Sequence, residues 1–119
     1  MTSYDRHLKY FKQIYNLLKT NKSDADIRII ITQLMHYLDK KHLIDKNYLE
    51  HHALFLSCEV NLDRIKEQSA EMLLSFLTMI YRIDYIDANS DAFMIYYKNQ
   101  MINVILKHLI EKIQILKGV

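Results

Sequence analysis

The sequence has no proline and no tryptophan, and its only glycine, Gly118, stands next to the last residue. Tight β-turns rely on Gly and Pro for backbone angles that other residues reach only at a cost. Their scarcity excludes a turn-rich sheet and predicts an all-α chain whose turns use Asn, Asp and Ser. The single cysteine, Cys58, excludes an intramolecular disulfide and fits a reducing compartment. No stretch reaches the ~18 uncharged apolar residues of a membrane span. The opening MTSYDRHLKYFK holds no apolar signal core. The expectation is a soluble, cytoplasmic protein that uses no cofactor.

What is present fits a packed domain. Of 119 residues, 50% are hydrophobic and 25% charged, close to the globular average, and the length suits one domain over 1–119. The net charge of +2 is uneven: the chain is basic over 1–22 and 92–119 and acidic over 59–91. Brought together, the two basic ends would offer a surface to an acidic partner.

Apolar residues recur at helical spacing through most of the chain. Tyr4, Leu8, Phe11, Tyr15 and Leu18 share one face of a helix from Thr2 or Ser3 to Lys19, with Asn21 as a left-handed stop. Ser23 or Asp24 caps a second helix ending near Lys40, on the stripe Ile27, Ile31, Leu34 and Leu38. Asp45 reads as the cap of a third, running to Leu56, and the pattern breaks from Ser57 to Asn61, where a short extended piece fits. Asn61 or Asp63 starts a helical turn, and Ser69 caps a helix to about Tyr85. That helix holds MLLSFLTMIYRIDYI, Met72–Ile86, and is apolar nearly all round, the pattern of a helix buried on most sides. Asp87, Asn89 and Ser90 mark a loop, and Ser90 or Asp91 caps a last helix over 91–117, with Asn99 as an irregularity and Gly118 just beyond its end. The predicted fold is a compact bundle of four to five helices with the 70–85 helix central.

Candidate sites are few. Arg82, Asp84 and Asp87 form a polar kernel at the end of the apolar run. An arginine there serves either to hold a carboxylate or loop carbonyls of a neighbouring segment or to bind an anionic ligand. Tyr96 and Tyr97, beside Lys98 and Asn99, form a candidate contact patch. His51 and His52 with Cys58 and Glu59 raise the idea of a metal, but adjacent helical residues point about 100° apart, so no metal site is expected. Cys58, beside Leu54, Phe55 and Leu56, reads as a small core residue rather than a nucleophile.

The stretch LLSFLTMIYRIDYIDAN with NQMINVILKHL resembles a family of small bacterial and phage proteins defined only as a domain of unknown function. That family has a Leu-Thr pair, an arginine, an acidic residue, a basic-aromatic pair, a glycine and a Leu-rich final helix. Leu77-Thr78, Arg82, Asp84, Ile105-Leu106 and Leu109 follow this order. Tyr85-Ile86 replaces the basic-aromatic pair, and Asn89 and Asn99 stand where glycines are usual, as residues able to supply left-handed backbone. The resemblance implies a helical fold and assigns no activity.

The leading expectation is a small non-enzymatic regulator, adaptor or inhibitor that binds another protein, of a kind a phage or mobile element encodes. A homo-oligomer through the wide apolar face of the 91–117 helix accompanies it. A nucleic-acid-binding regulator using the basic terminal helices is the second reading, set back by the lack of a Gly-rich loop and a pI of 8.6. A small-ligand or enzyme module centred on Arg82 and Asp84 is the third.

Overall fold

The computed structural model describes residues 4–20 and 22–118, the last three as backbone only. Six α-helices follow one another: α1 Leu8–Lys19, α2 Asp24–Lys40, α3 His52–Val60, α4 Ala70–Ile86, α5 Ala92–Lys98 and α6 Met101–Gly118. Short 3₁₀ turns at Asp5–His7, Tyr48–His51, Leu62–Glu67 and Ala88–Ser90 lead into or join them. No strand occurs among the described residues. The fold is all-α, with more helices than the four to five expected.

Side-chain oxygens set three of the starts. Ser23 Oγ accepts the Asp26 amide at 3.2 Å and Ser69 Oγ the Met72 amide at 3.1 Å, opening α2 and α4. Asn61 Oδ1 accepts the Asp63 amide at 3.2 Å and opens the 62–67 turn. Each such bond satisfies an amide that has no partner within the helix, a contribution of about 1 kcal/mol.

From Leu73 to Ile80 every residue of α4 is buried. The helix is therefore covered on all sides, with α2, α5 and α6 against it. Phe76 meets Phe55 of α3 edge-on at 5.6 Å. The radius of gyration, 13.4 Å, matches the roughly 13.5 Å of a close-packed chain this long.

The boundaries differ from expectation in four places. The first helix is preceded by the 3₁₀ turn Asp5–His7, which leaves His7 buried; Thr2, Ser3 and the expected stop at Asn21 lie outside the described residues. Asp45 starts no helix: its Oδ1 accepts the Asn47 amide at 2.9 Å in a local turn. The expected extended piece at 57–61 is helical through Val60, and only Asn61 is extended. Phe55 and Cys58 are the buried residues of α3, a stripe too narrow to show as a period.

The fourth difference is the break in the 91–117 helix. Gln100 takes a left-handed conformation with φ 74°, and Asn99 Oδ1 accepts the Met101 amide at 2.9 Å to start α6. The break lets α5 lie on α2 and α4 while α6 lies on α1 and α4, two directions that one straight helix cannot serve. Among the described residues the left-handed ones are His42, Asp91 and Gln100, not Asn89 or Asn99. At the far end, α6 continues through Gly118. Both apolar rows of α6 (Ile102, Leu106, Leu109 and Ile113; Met101, Ile105 and Ile110) are buried within the single chain. These residues of the face on which an oligomer was expected pack within the chain, while Ile115 beside them is exposed.

Candidate functional site

The polar kernel expected at the end of α4 does not converge. Arg82 lies over two tyrosine rings of its own helix, 5.6 Å from the centre of Tyr81 and 6.0 Å from that of Tyr85. No carboxylate among the described residues pairs with it. The tie between neighbouring segments runs instead from Arg28 of α2 to Asp91, with Nη2 donating to both carboxylate oxygens at 2.9 Å. Asp84 lines a cleft of about 240 Å³ with Tyr81, Tyr85, His36 and Phe93. Burial and the nearby Asp91 charge hold its carboxyl above the usual range, opposed by Arg28. Asp87 is exposed, and its Oδ1 accepts the Asn89 amide at 3.0 Å.

The Tyr96–Asn99 patch is largely occupied within the fold. Tyr96 stands edge-on to Phe55 at 5.4 Å. Tyr97 donates its hydroxyl to the Leu18 carbonyl at 3.0 Å, closing the end of α1. Lys98 reaches Asp24 at 3.2 Å, at the start of α2 where a cation faces the acidic first turn. The exposed residues there are Lys98 and Asn99, so the tyrosines join helices rather than offer a surface.

A different polar cluster lies midway along α4. Ser75 and Thr78 are buried polar residues in the apolar run, three apart and so on one helical side. Thr78 Oγ1 donates to the Leu74 carbonyl at 2.9 Å and accepts the Asp45 amide at 3.0 Å. Ser75 Oγ is 2.8 Å from His51 Nδ1, and Asp45 Oδ2 is 3.3 Å from the same nitrogen. Burial pushes the Asp45 carboxyl up, but the Asn47 amide, the Ser75 hydroxyl and His51 outweigh it and hold the group below the usual range.

Serine, histidine and aspartate together suggest a hydrolytic triad, and the atoms exclude it. A triad places the aspartate on one ring nitrogen and the serine on the other. Here both meet Nδ1, and Ser75 is buried. With Ser75 donating to Asp45, Nδ1–H donates into the pair. The cluster pins the 41–51 segment to α4. The sequence held one signal for it: buried hydroxyls must find partners, and Ser75 and Thr78 on one side of a covered helix demand them from a single neighbouring segment.

A second histidine is buried near the first turn. His7 Nδ1 is 2.6 Å from the Tyr37 hydroxyl, and Arg6 Nε donates to His7 Nε2 at 3.4 Å. With Nε2 accepting, Nδ1 carries the proton and the ring is neutral. Burial, then the Arg6 and Lys41 charges, lower its pKa. Tyr37 also stacks on Tyr10 at 3.7 Å. Burial pushes the Tyr10 phenol up to about 12. His7 and His51 both line a cleft of about 620 Å³, walled by the 3₁₀ turn at Asp5–His7, the 41–45 segment and the first turn of α4.

Among the described residues no group of three or more His, Cys, Asp or Glu is placed to hold a metal ion. Cys58 is buried in the core, and burial pushes its thiol up. No helix among the described residues is long and apolar enough to cross a membrane. No family profile, curated protein or solved structure matches the chain.

Proposed function

We propose that the chain acts by binding another protein through the exposed end of α4. The supporting observation is the set Tyr81, Arg82, Tyr85 and Ile86. Tyr85 and Ile86 are 74% and 77% exposed at the end of a helix whose middle is wholly buried. Arg82, between the two tyrosine rings, has its charge unspent on any carboxylate. Tyrosine and arginine are among the residues that most often carry binding energy at interfaces: tyrosine adds large contact area with few rotamers to freeze, and arginine a planar fork of charged donors. A partner that brings a carboxylate to Arg82 and an apolar side chain to Tyr85 and Ile86 fits this surface.

The test is affinity capture from native lysate with the wild-type chain, Arg82→Ala, Tyr85→Ala and a control, Lys46→Ala, in the 41–47 segment. A protein recovered in stoichiometric amount by the wild type and the control, and lost with Arg82→Ala and Tyr85→Ala, is the expected result. Recovery unchanged in those two variants, or no partner at all in repeated captures, would overturn the proposal.

The second reading, nucleic-acid binding through the basic ends, is supported by the packing of α1 on α6. The contact joins the helix that carries Lys9 and Lys12 to the helix that carries Lys107. Retention on heparin to well above physiological salt is its expected mark, and elution at low salt counts against it.

A further inference from the structure

Arg82 and Asp84 stand two residues apart in α4 and so turn to different sides of it. Arg82 lies on the rings of Tyr81 and Tyr85 and is no part of the wall of the 240 Å³ cleft, whereas Asp84 belongs to that wall. Asp84 makes no hydrogen bond or ion pair with any described residue. Arg28, which acts on it from α2, gives Nε and Nη2 to Asp91 instead, at 3.3 and 2.9 Å. Among the described residues the wall holds no lysine, no arginine and no second carboxylate, and His36 is the other charge-bearing side chain on it. Asp84 also stands in the last turn of α4, where open backbone carbonyls carry partial negative charge and no basic side chain offsets them.

The rest of the wall is aromatic and apolar. Tyr81, Asp84 and Tyr85 are three and four apart, so they share one side of α4. Thr32, Met35 and His36 share one side of α2 in the same way. Phe93 of α5 completes the wall. Met35 and Phe93 are buried and make the floor, and the exposed Tyr85 makes the rim. Three aromatic rings and one unpaired carboxylate thus line the same small cleft. Ring faces carry negative charge and attract cations, and alkyl groups on a cation gain by leaving water against them. The volume lies below the roughly 300–1,000 Å³ of sites for drug-sized ligands, so it suits a head group.

We infer that this cleft binds the ammonium head of an organic cation, its charge against Asp84 and its alkyl groups against Tyr81, Tyr85 and Phe93. The site shares two tyrosines with the protein-binding surface, but it needs no partner protein to fill.

The probes are tetramethylammonium, butylammonium and the uncharged tert-butanol. Each is titrated into the full chain at neutral pH and constant ionic strength while the ring resonances of Tyr81, Tyr85 and Phe93 are followed by NMR. Saturable shifts with half-saturation in the low-millimolar range are expected for at least one cation and not for tert-butanol. Tetramethylammonium saturating first assigns a methylated head, and butylammonium saturating first a lysine-like one. Asp84→Asn should weaken the better cation roughly tenfold. Tyr85→Leu, which keeps an apolar side chain but no ring, should weaken it roughly three- to tenfold. Asp84→Asn removes a charge that has no partner within the fold, and Tyr85 is exposed, so neither variant unfolds the chain. Arg82→Ala, which should abolish protein capture, should tighten the cation by freeing both rings, so the two sites are told apart. Saturation by tert-butanol in the same range as the cations, shifts that grow without saturating, or a curve that Asp84→Asn leaves unchanged would overturn the inference.

Discussion

Arg28 and Asp91, 63 residues apart in sequence, meet through three hydrogen bonds, two of them from one guanidinium nitrogen to both carboxylate oxygens. The pair joins α2 to the start of α5. Asp91 also holds a left-handed backbone, φ 55°, so two effects are combined in one residue. At about half exposure on each side, the pair contributes about 0.5–1 kcal/mol, and Arg28→Ala should lose that much in urea unfolding. Asp91→Ala should lose about 1 kcal/mol more than Asp91→Gly, since alanine meets the left-handed penalty and glycine does not.

Asp84 gives a pH signature. Its folded pKa is raised by burial and by Asp91, so the folded state holds its proton more tightly than the unfolded chain. The stabilisation is fully present below the ordinary value of 3.8 and is lost as pH rises through the raised folded value. Asp84→Asn should therefore be more stable than wild type at neutral pH and equal to it well below the ordinary value. Unfolding midpoints across that range check this. A variant equal to wild type at neutral pH would exclude it.

Asp45 runs the other way. Its folded pKa is lowered, so its contribution is present above the unfolded value and lost as pH falls through the folded one. Asp45→Asn should be less stable than wild type at neutral pH, with the gap closing in acid. Thr78→Val removes the acceptor of the Asp45 amide while nearly keeping shape. It should cost about 1–2 kcal/mol at every pH. Denaturant curves at neutral and acid pH separate the two variants.

His42 and Gln100 are the places where glycine should help. His42, with φ 59°, ends α2 as its amide reaches the Asp39 carbonyl at 3.2 Å while the Leu43 amide reaches Leu38 at 2.8 Å. This paired closure usually employs glycine. His42→Gly and Gln100→Gly should each stabilise by about 0.5–1 kcal/mol, read as a Tm rise of roughly 2–5 °C. Asn99→Gly should not, because Asn99 sits at φ −82°.

The sequence revealed the features that depend on neighbours along the chain. Ser23, Asn61 and Ser69 cap where their position before apolar stripes placed them, and α4 is buried on all sides from Leu73 to Ile80, as the composition of that stretch required. The rest depends on contacts between distant segments, which periodicity does not encode. Asp45 looks like a helix cap from its neighbours, but Ser75 and Thr78, more than 29 positions on, take both its carboxylate and its amide. Arg82 looked like the chain's ion-pair anchor because it interrupts an apolar run. Nothing in the sequence around Arg28, one of several cations on a solvated helix, marks it as the residue that meets Asp91. Asn99 marks an irregularity next to Gln100, but a full break there does not show, because the apolar rows on either side continue the same repeat.

The unbroken burial of Leu73 to Ile80 fixes how the chain exchanges its amide protons. A helix with one wet side can fray a turn at a time. These eight consecutive residues have no side open to water, so their deuterium uptake must wait for the helices around them to come away together. Exchange at Phe76 and Leu77 is then a direct reading of the free energy of complete unfolding. The exposed turn at Tyr85 exchanges on its own, faster clock.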